Sequence, residues 1–246
     1  MSGPEIVLLA LAGIGGGLAG SIGGLASLVS YPALLATGLS PVSANIANTV
    51  SMVFSGVGAT AGSRHELRGQ GAALRRLALA SAAGGAAGSA LLLLTPSGAF
   101  RLAVPWLIGG ASLIMLVRPR PGRDAARRPL GLVVAVFAIA VYGGYFGAAA
   151  GVVLLAFLLH WSADTLPRIN AAKNVLLGTS NAVAAIAFAL TSNVHWTAVA
   201  PLAAGLLVGA RAGPIVVRHS PANLLRTLIA LGGIGLAITL GIQAYS

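Results

Sequence analysis

The chain contains no cysteine. Disulfides, thiolate nucleophiles and thiolate metal ligands are excluded, and the redox compartment leaves no mark on the sequence. Charge is scarce: 8% of the 246 residues are charged, and only four are acidic. A soluble domain needs far more charge on its surface. Lysine occurs once, at Lys173. The carboxylates of Glu5, Glu66, Asp124 and Asp164 fall near segment ends or in loops, which argues against a carboxylate proton relay. His65, His160, His195 and His219 share no ligand spacing, so neither a metal site nor a cofactor is expected. Ser27 and Ser30 have no deep histidine to activate them, which argues against an enzyme.

What the chain has in abundance is apolar length. Hydrophobic residues make up 57% of it, and glycine contributes 34 residues. Apolar segments run approximately over 5–38, 41–63, 72–94, 98–117, 130–161, 166–191, 195–217 and 221–244. Each is long enough to cross a bilayer core of roughly 30 Å. The first lacks a basic leader and is too long for a signal peptide, so it reads as retained structure. Ser40-Pro41, Thr165 and Ser220-Pro221 read as helix starts, and Thr95-Pro96-Ser97-Gly98 as a short turn.

The net charge of +11 does not point to nucleic acid. The arginines gather at segment ends, in 64–76, 118–128 and 211–226, as on cytoplasmic membrane flanks. None of these stretches is a basic face long enough to follow a phosphate backbone. If all eight segments crossed once, the basic stretches would be split between the two sides. The first and fifth segments are overlong and carry glycine clusters, GIGGGLAGSIGG and YGGYFGAAAG. If these two enter and turn back near mid-depth, every basic loop falls on one side. The expected fold is therefore an all-α integral membrane protein with six full spans, two re-entrant helical hairpins and both termini outside.

The sequence also repeats. ANIANTV at 44–50 matches INAAKNV at 169–175, an offset of 125 residues. With that offset Gly84 meets Gly209, Gly88 meets Gly213, Pro96 meets Pro221 and Arg101 meets Arg226. Near the hairpins an offset of 124 fits better, pairing Gly23 with Gly147. The chain divides into a first repeat at 1–118, a basic linker at 119–129 and a second repeat at 130–246. Each repeat holds one hairpin and three transmembrane helices, an odd number, so the second is expected upside down. Such inverted-topology repeats are characteristic of secondary transporters, whose sites lie near the midplane at broken helices.

The returning hairpin arms begin near Gly24–Ser27 and near Gly151, and both aim their N-termini at the membrane centre. Helix N-termini carry free N–H groups and about half a positive charge, which suits an anion. In the next helix of the first repeat Asn45, Asn48 and Thr49 share one face; in the second, Asn170, Lys173 and Asn174 do the same. Lys173 lies roughly 12 Å along its helix at 1.5 Å per residue, near mid-depth and with no acidic partner. Tyr31 reads either as a residue that closes the site or as one that sits at a packed bend. Asn45 and Asn170 read equally as ligands or as bonds between helices, and Lys173 either as a ligand or as a long stem reaching back to the inner surface; Ser51, Ser55, Thr179 and Ser180 read instead as bonds between helices.

The Gly-rich first segment ending in YPALL, followed by GLSPVSANIANTV and by INAAKNV in the second half, resembles the sulfite exporter TauE/SafE family. The resemblance covers nearly the whole chain. It implies a multi-pass transporter of the bacterial inner membrane that carries small sulfur-containing anions such as sulfite, sulfonates or related organic acids. On that reading the partners are the lipid bilayer and a small anionic substrate, with sodium coupling through backbone carbonyls left open. A passive anion channel and a non-transporting membrane subunit are the alternatives to be separated by flux.

Overall fold

A computed structural model of the chain describes residues 1–116, 129–148, 150–162 and 164–219, together with 231, 234, 235, 237–239, 241 and 242. The described residues are helical or in turns, with no strand among them. The helices are α1 (Gly3–Gly23), α2 (Ala26–Ala36), α3 (Pro41–Gly62), α4 (Gly71–Leu94), α5 (Ser97–Leu116), α6 (Pro129–Tyr145), α7 (Ala150–Trp161), α8 (Leu166–Thr191) and α9 (Trp196–His219). Most of the expected linker, and the expected start at Ser220-Pro221, lie outside the described residues.

The local signals explain the boundaries. Ser40 caps α3 by accepting from the Ser43 N–H, with Pro41 in the first turn where no N–H is needed. Thr165 precedes α8 in extended conformation, again with a proline in the first turn. The first hydrophobic segment breaks at Gly24 and the fifth at Gly147, where φ is +76° and +74°. Only glycine takes up that left-handed conformation freely. The two turning glycines are thus offset by 123 residues, not the 124 expected from pairing Gly23 with Gly147.

The remaining glycines of the first cluster stay helical. Their role is close approach: a Cβ on Gly13 would stand 2.5 Å from the Leu202 carbonyl oxygen, and one on Gly17 2.5 Å from that of Leu206. α1 therefore lies directly on α9, and the two run parallel. α2 folds back along α1, with Ser30 opposite Gly16 and Val29 opposite Gly15. In the second half α6 runs parallel to α4 through equally close contacts at Gly84, Gly85 and Gly144. α3 packs on both α8 and α9, and α8 packs on α4. Gly56 and Gly178 mark the crossing of α3 and α8; a Cβ on Gly56 would stand 2.8 Å from the Gly178 Cα.

Among the described residues four helices are long and apolar enough to cross a membrane: Gly3–Gly23, Gly71–Leu94, Leu166–Thr191 and Trp196–Ile215. α1 is among them. The first hairpin has an arm of 21 residues, about 31 Å, and a short return of 11 residues that begins at Ala26, within the expected Gly24–Ser27. The glycines inside α1 pack against α9 and α2, and the chain turns at Gly24. α3 is also long, at 22 residues, but its polar face keeps it below the apolarity of a lone span. Asn45, Asn48, Thr49, Ser51 and Ser55 on that face are all buried by neighbouring helices.

Candidate functional site

The two hairpin turns meet in the interior. Gly24 and Gly151 touch backbone to backbone, too closely for a side chain on either. Beside this contact lies a cavity of about 60 Å³, room for roughly four waters or one small oxyanion. Its wall comes from both halves of the chain. α1 and α2 give Gly20, Gly24, Ala26 and Ser27; α3 gives Asn48, Thr49, Met52, Ser55, Gly56 and Ala59. From the second half come Gly143, Phe146, Gly147, Ala150, Gly151, Asn174, Leu177, Gly178 and Asn181. No charged side chain of the described residues lines it. Its polar lining is amide and hydroxyl, together with the first turns of α2 and α7; there the Leu28 N–H donates to the Leu25 carbonyl at 3.1 Å and the Ala150 N–H to the Gly147 carbonyl at 3.2 Å, while leading N–H groups in general lack an intrahelical acceptor.

Hydrogen bonds fix the polar wall. Ser30 Oγ donates to Asn48 Oδ1 at 2.6 Å, and Asn48 Nδ2 donates to Ser27 Oγ at 3.1 Å. α3 is thereby clamped to the start of α2, and one cavity residue orients another. Phe146 belongs to an aromatic cluster, edge-on to Tyr31 at 5.3 Å and to Phe100 at 5.8 Å. Such pairs contribute about 0.5–1.5 kcal/mol each beyond burial.

The remaining polar residues of the two helices lie behind the cavity wall. Asn45 Nδ2 donates to the Tyr145 carbonyl at 2.8 Å, and Asn170 Nδ2 to the Ser21 carbonyl at 2.8 Å. Each asparagine thus reaches the last turn of the first hairpin arm in the opposite half. Lys173 is fully buried, and its Nζ donates to the Gly20 carbonyl at 3.0 Å, at the C-terminal end of α1. A helix C-terminus carries about half a negative charge, so the ammonium is partnered by a dipole instead of a carboxylate.

The family comparison agrees with this architecture. The model of the sulfite exporter TauE/SafE family matches residues 8–240. The chain belongs to the TauE/SafE family. Among curated relatives, "Probable membrane transporter protein YfcA" of Escherichia coli (strain K12) is 28% identical over 222 residues, covering 87% of this chain and 81% of that one. A "Probable membrane transporter protein" of Haemophilus influenzae is 27% identical over 219 residues, covering 86% and 84%. No solved structure matches.

Of the site residues expected for this TauE/SafE chain, the cavity gathers Gly24, Ser27, Asn48, Thr49, Gly151 and Asn174. Asn45, Asn170 and Lys173 stand behind it, bonded to hairpin ends. Tyr31 is buried and supports the wall through Phe146; its hydroxyl donates to the Pro41 carbonyl at 3.4 Å. Sequence reasoning missed Asn181 and Phe146, and gave Ser55 to helix packing alone. Asn181 had a signal: it follows Asn174 by seven residues, two helical turns, and so shares its face. Phe146 had a weaker one, as the large apolar side chain nearest the second turn.

Proposed function

We propose that this protein is a secondary transporter of a small, sulfur-containing anion, working by alternating access around the cavity between the hairpin turns. The observation that carries the reading is the convergence of two helix N-termini, α2 and α7, on one small cavity lined by neutral donors. Such a site can hold an oxyanion without burying a permanent counter-charge, which makes release as feasible as binding. The relatives' names support transport, and the family name supports a sulfur oxyanion such as sulfite, or a sulfonate.

An inverted repeat is supported by reciprocity. α3 and α8 start 125 residues apart, as do α4 and α9, and α2 and α7 start 124 apart. α1 pairs with α9 as α6 pairs with α4, and the asparagine bonds cross between halves in the same way. Two equivalent halves sharing one central site can expose it to either side by exchanging conformations. On this reading the protein sits in the bacterial inner membrane with its arginine-rich loops in the cytoplasm and performs no catalysis.

The deciding experiment is flux in liposomes with sulfite, thiosulfate, sulfoacetate and taurine. Saturable uptake accelerated by anion on the opposite side is expected. Conductance without counterflow would mean a channel, and no flux of any anion would mean a subunit that does not transport.

A further inference from the structure

The two halves treat their hairpin ends differently. At the end of α1, Ser21 O accepts from Asn170, and Gly20 O accepts from the Lys173 ammonium. At the end of α6, Tyr145 O accepts from Asn45. The residue that corresponds to Lys173 there is Asn48, which is neutral and engaged with Ser27 and Ser30 in its own half. One buried helix C-terminus therefore has a cationic partner, and the position matching that partner in the other half is neutral.

The side chains record the imbalance. Asn45 is 0% exposed, and its Oδ1 has no hydrogen-bond partner among the described residues. Asn170 Oδ1 also lacks one, but it lies one helical turn from an ammonium with N–H bonds to spare. Asn45 has the Asn48 amide and the Thr49 hydroxyl at that distance, both neutral, and its Oδ1 accepts from neither. Beyond the Asn45 N–H that Tyr145 O already accepts, the buried amide oxygen and the negative end of the helix present acceptors, an arrangement that a cation satisfies and a neutral donor satisfies in part.

We infer that Asn45 Oδ1 and the last-turn carbonyls of α6, Tyr145 foremost, form a binding site for a monovalent alkali cation of the sodium class. The ion does for α6 what the Lys173 ammonium does for α1. A single charge matches the set: the ligands are neutral oxygens, and no carboxylate is present to balance a divalent ion. Carbonyls at half-helix C-termini are suited to this role in membrane proteins. The site stands apart from the transport reading. Its use as a coupling ion rests on that reading, because Asn45 precedes the cavity residue Asn48 by one helical turn.

The test needs no transport. The purified protein is melted in detergent with sodium, potassium, lithium or choline chloride at equal ionic strength. A saturable rise in melting temperature is expected with sodium and none with choline. Asn45→Ala should abolish the rise, whereas Asn170→Ala, which loses the matching amide bond in the other half, should keep it. Asn45→Asp should lower the half-saturating sodium concentration about tenfold by adding a charged ligand. Equal melting in sodium and choline would mean that water satisfies Asn45, and would overturn the site. So would an undiminished sodium response in Asn45→Ala. Where Asn45→Ala fails to fold, an unchanged half-saturation in Asn45→Asp is equally decisive against it. Loss of flux with the sodium response intact would count against the transport reading alone.

Discussion

Gly24 and Gly151 bear on each other so closely that a methyl group on either would overlap the other's backbone. They belong to different halves of the chain, and both line the cavity. Gly24 also has a φ of +76°, so replacing it costs twice over. Gly38 offers the control, with a φ of +82° and nothing within reach of an added Cβ. Gly38→Ala should lose only the left-handed penalty, about 1–2 kcal/mol. Gly24→Ala should lose more than that and should lose flux as well. Thermal melting of the two variants side by side isolates the contact between the turns.

Lys173→Met should weaken anion binding about tenfold, near 1.4 kcal/mol, without abolishing it. The ammonium does not line the cavity, but it is bonded at 3.0 Å to the carbonyl of Gly20, which does. Asn174→Leu, which removes a donor from the wall itself and fills the space, should cost more. Calorimetric titration of both variants with the transported anion checks the ranking.

Gly56→Val should separate α3 from α8. Even a Cβ at this position would lie 2.8 Å from the Gly178 Cα, so the backbones must move apart. Overpacking of this kind costs typically 1–3 kcal/mol. The expected result is a lower melting temperature together with a change in counterflow rate, since the crossing also forms part of the cavity wall.

Arg168 ties the loop after α3 to the start of α8. Its Nη1 donates to the Glu66 carbonyl at 3.1 Å and the Arg68 carbonyl at 3.2 Å, while Nε donates to Asp164 at 2.8 Å. A lysine cannot span three acceptors in this way. Arg168→Lys should therefore speed proteolysis in 63–70. The hydrogen bond from Arg168 holds the Asp164 carboxyl below its ordinary range. A lowered folded-state value means that the pair stabilises above the unfolded carboxylate range and fades as pH falls through the folded value. The difference in cleavage between wild type and Arg168→Lys should accordingly narrow under acidic conditions.

The absence of native cysteine makes topology directly testable. His65→Cys, in an arginine-flanked loop, should resist a membrane-impermeant thiol reagent in intact cells. Asn193→Cys, in the α8–α9 turn, should react. The reverse pattern would invert the orientation derived from the basic loops.

Much of the fold was legible in the sequence because its signals are local. Ser40-Pro41 and Thr165 announced helix starts, and the duplicated Asn motifs paired α3 with α8. The glycine clusters were ambiguous: residue type cannot say which glycine turns the chain and which lies under another helix. That depends on where α9 and α4 lie, and so Gly23 was paired with Gly147 although Gly24 makes the turn. The site shows the same division. Asn48 and Thr49 pointed to the cavity, and so did Asn174, from their position on a helix face. The bonds of Asn45, Asn170 and Lys173 were illegible, because their acceptors are backbone carbonyls of the opposite half, and a carbonyl has no identity in a sequence.

Those crossing bonds also set the order in which the molecule can be made. Asn45 leaves the ribosome 100 residues before Tyr145, whose carbonyl accepts from it. Asn170 and Lys173 arrive about 150 residues after the carbonyls they bond. While the first half is alone in the membrane, its buried amide and the end of α1 wait without partners, and lipid offers none. Each half therefore completes the other, and a truncated first half should be held by the insertion machinery or degraded. Two separately encoded halves could still assemble, provided both were synthesised together.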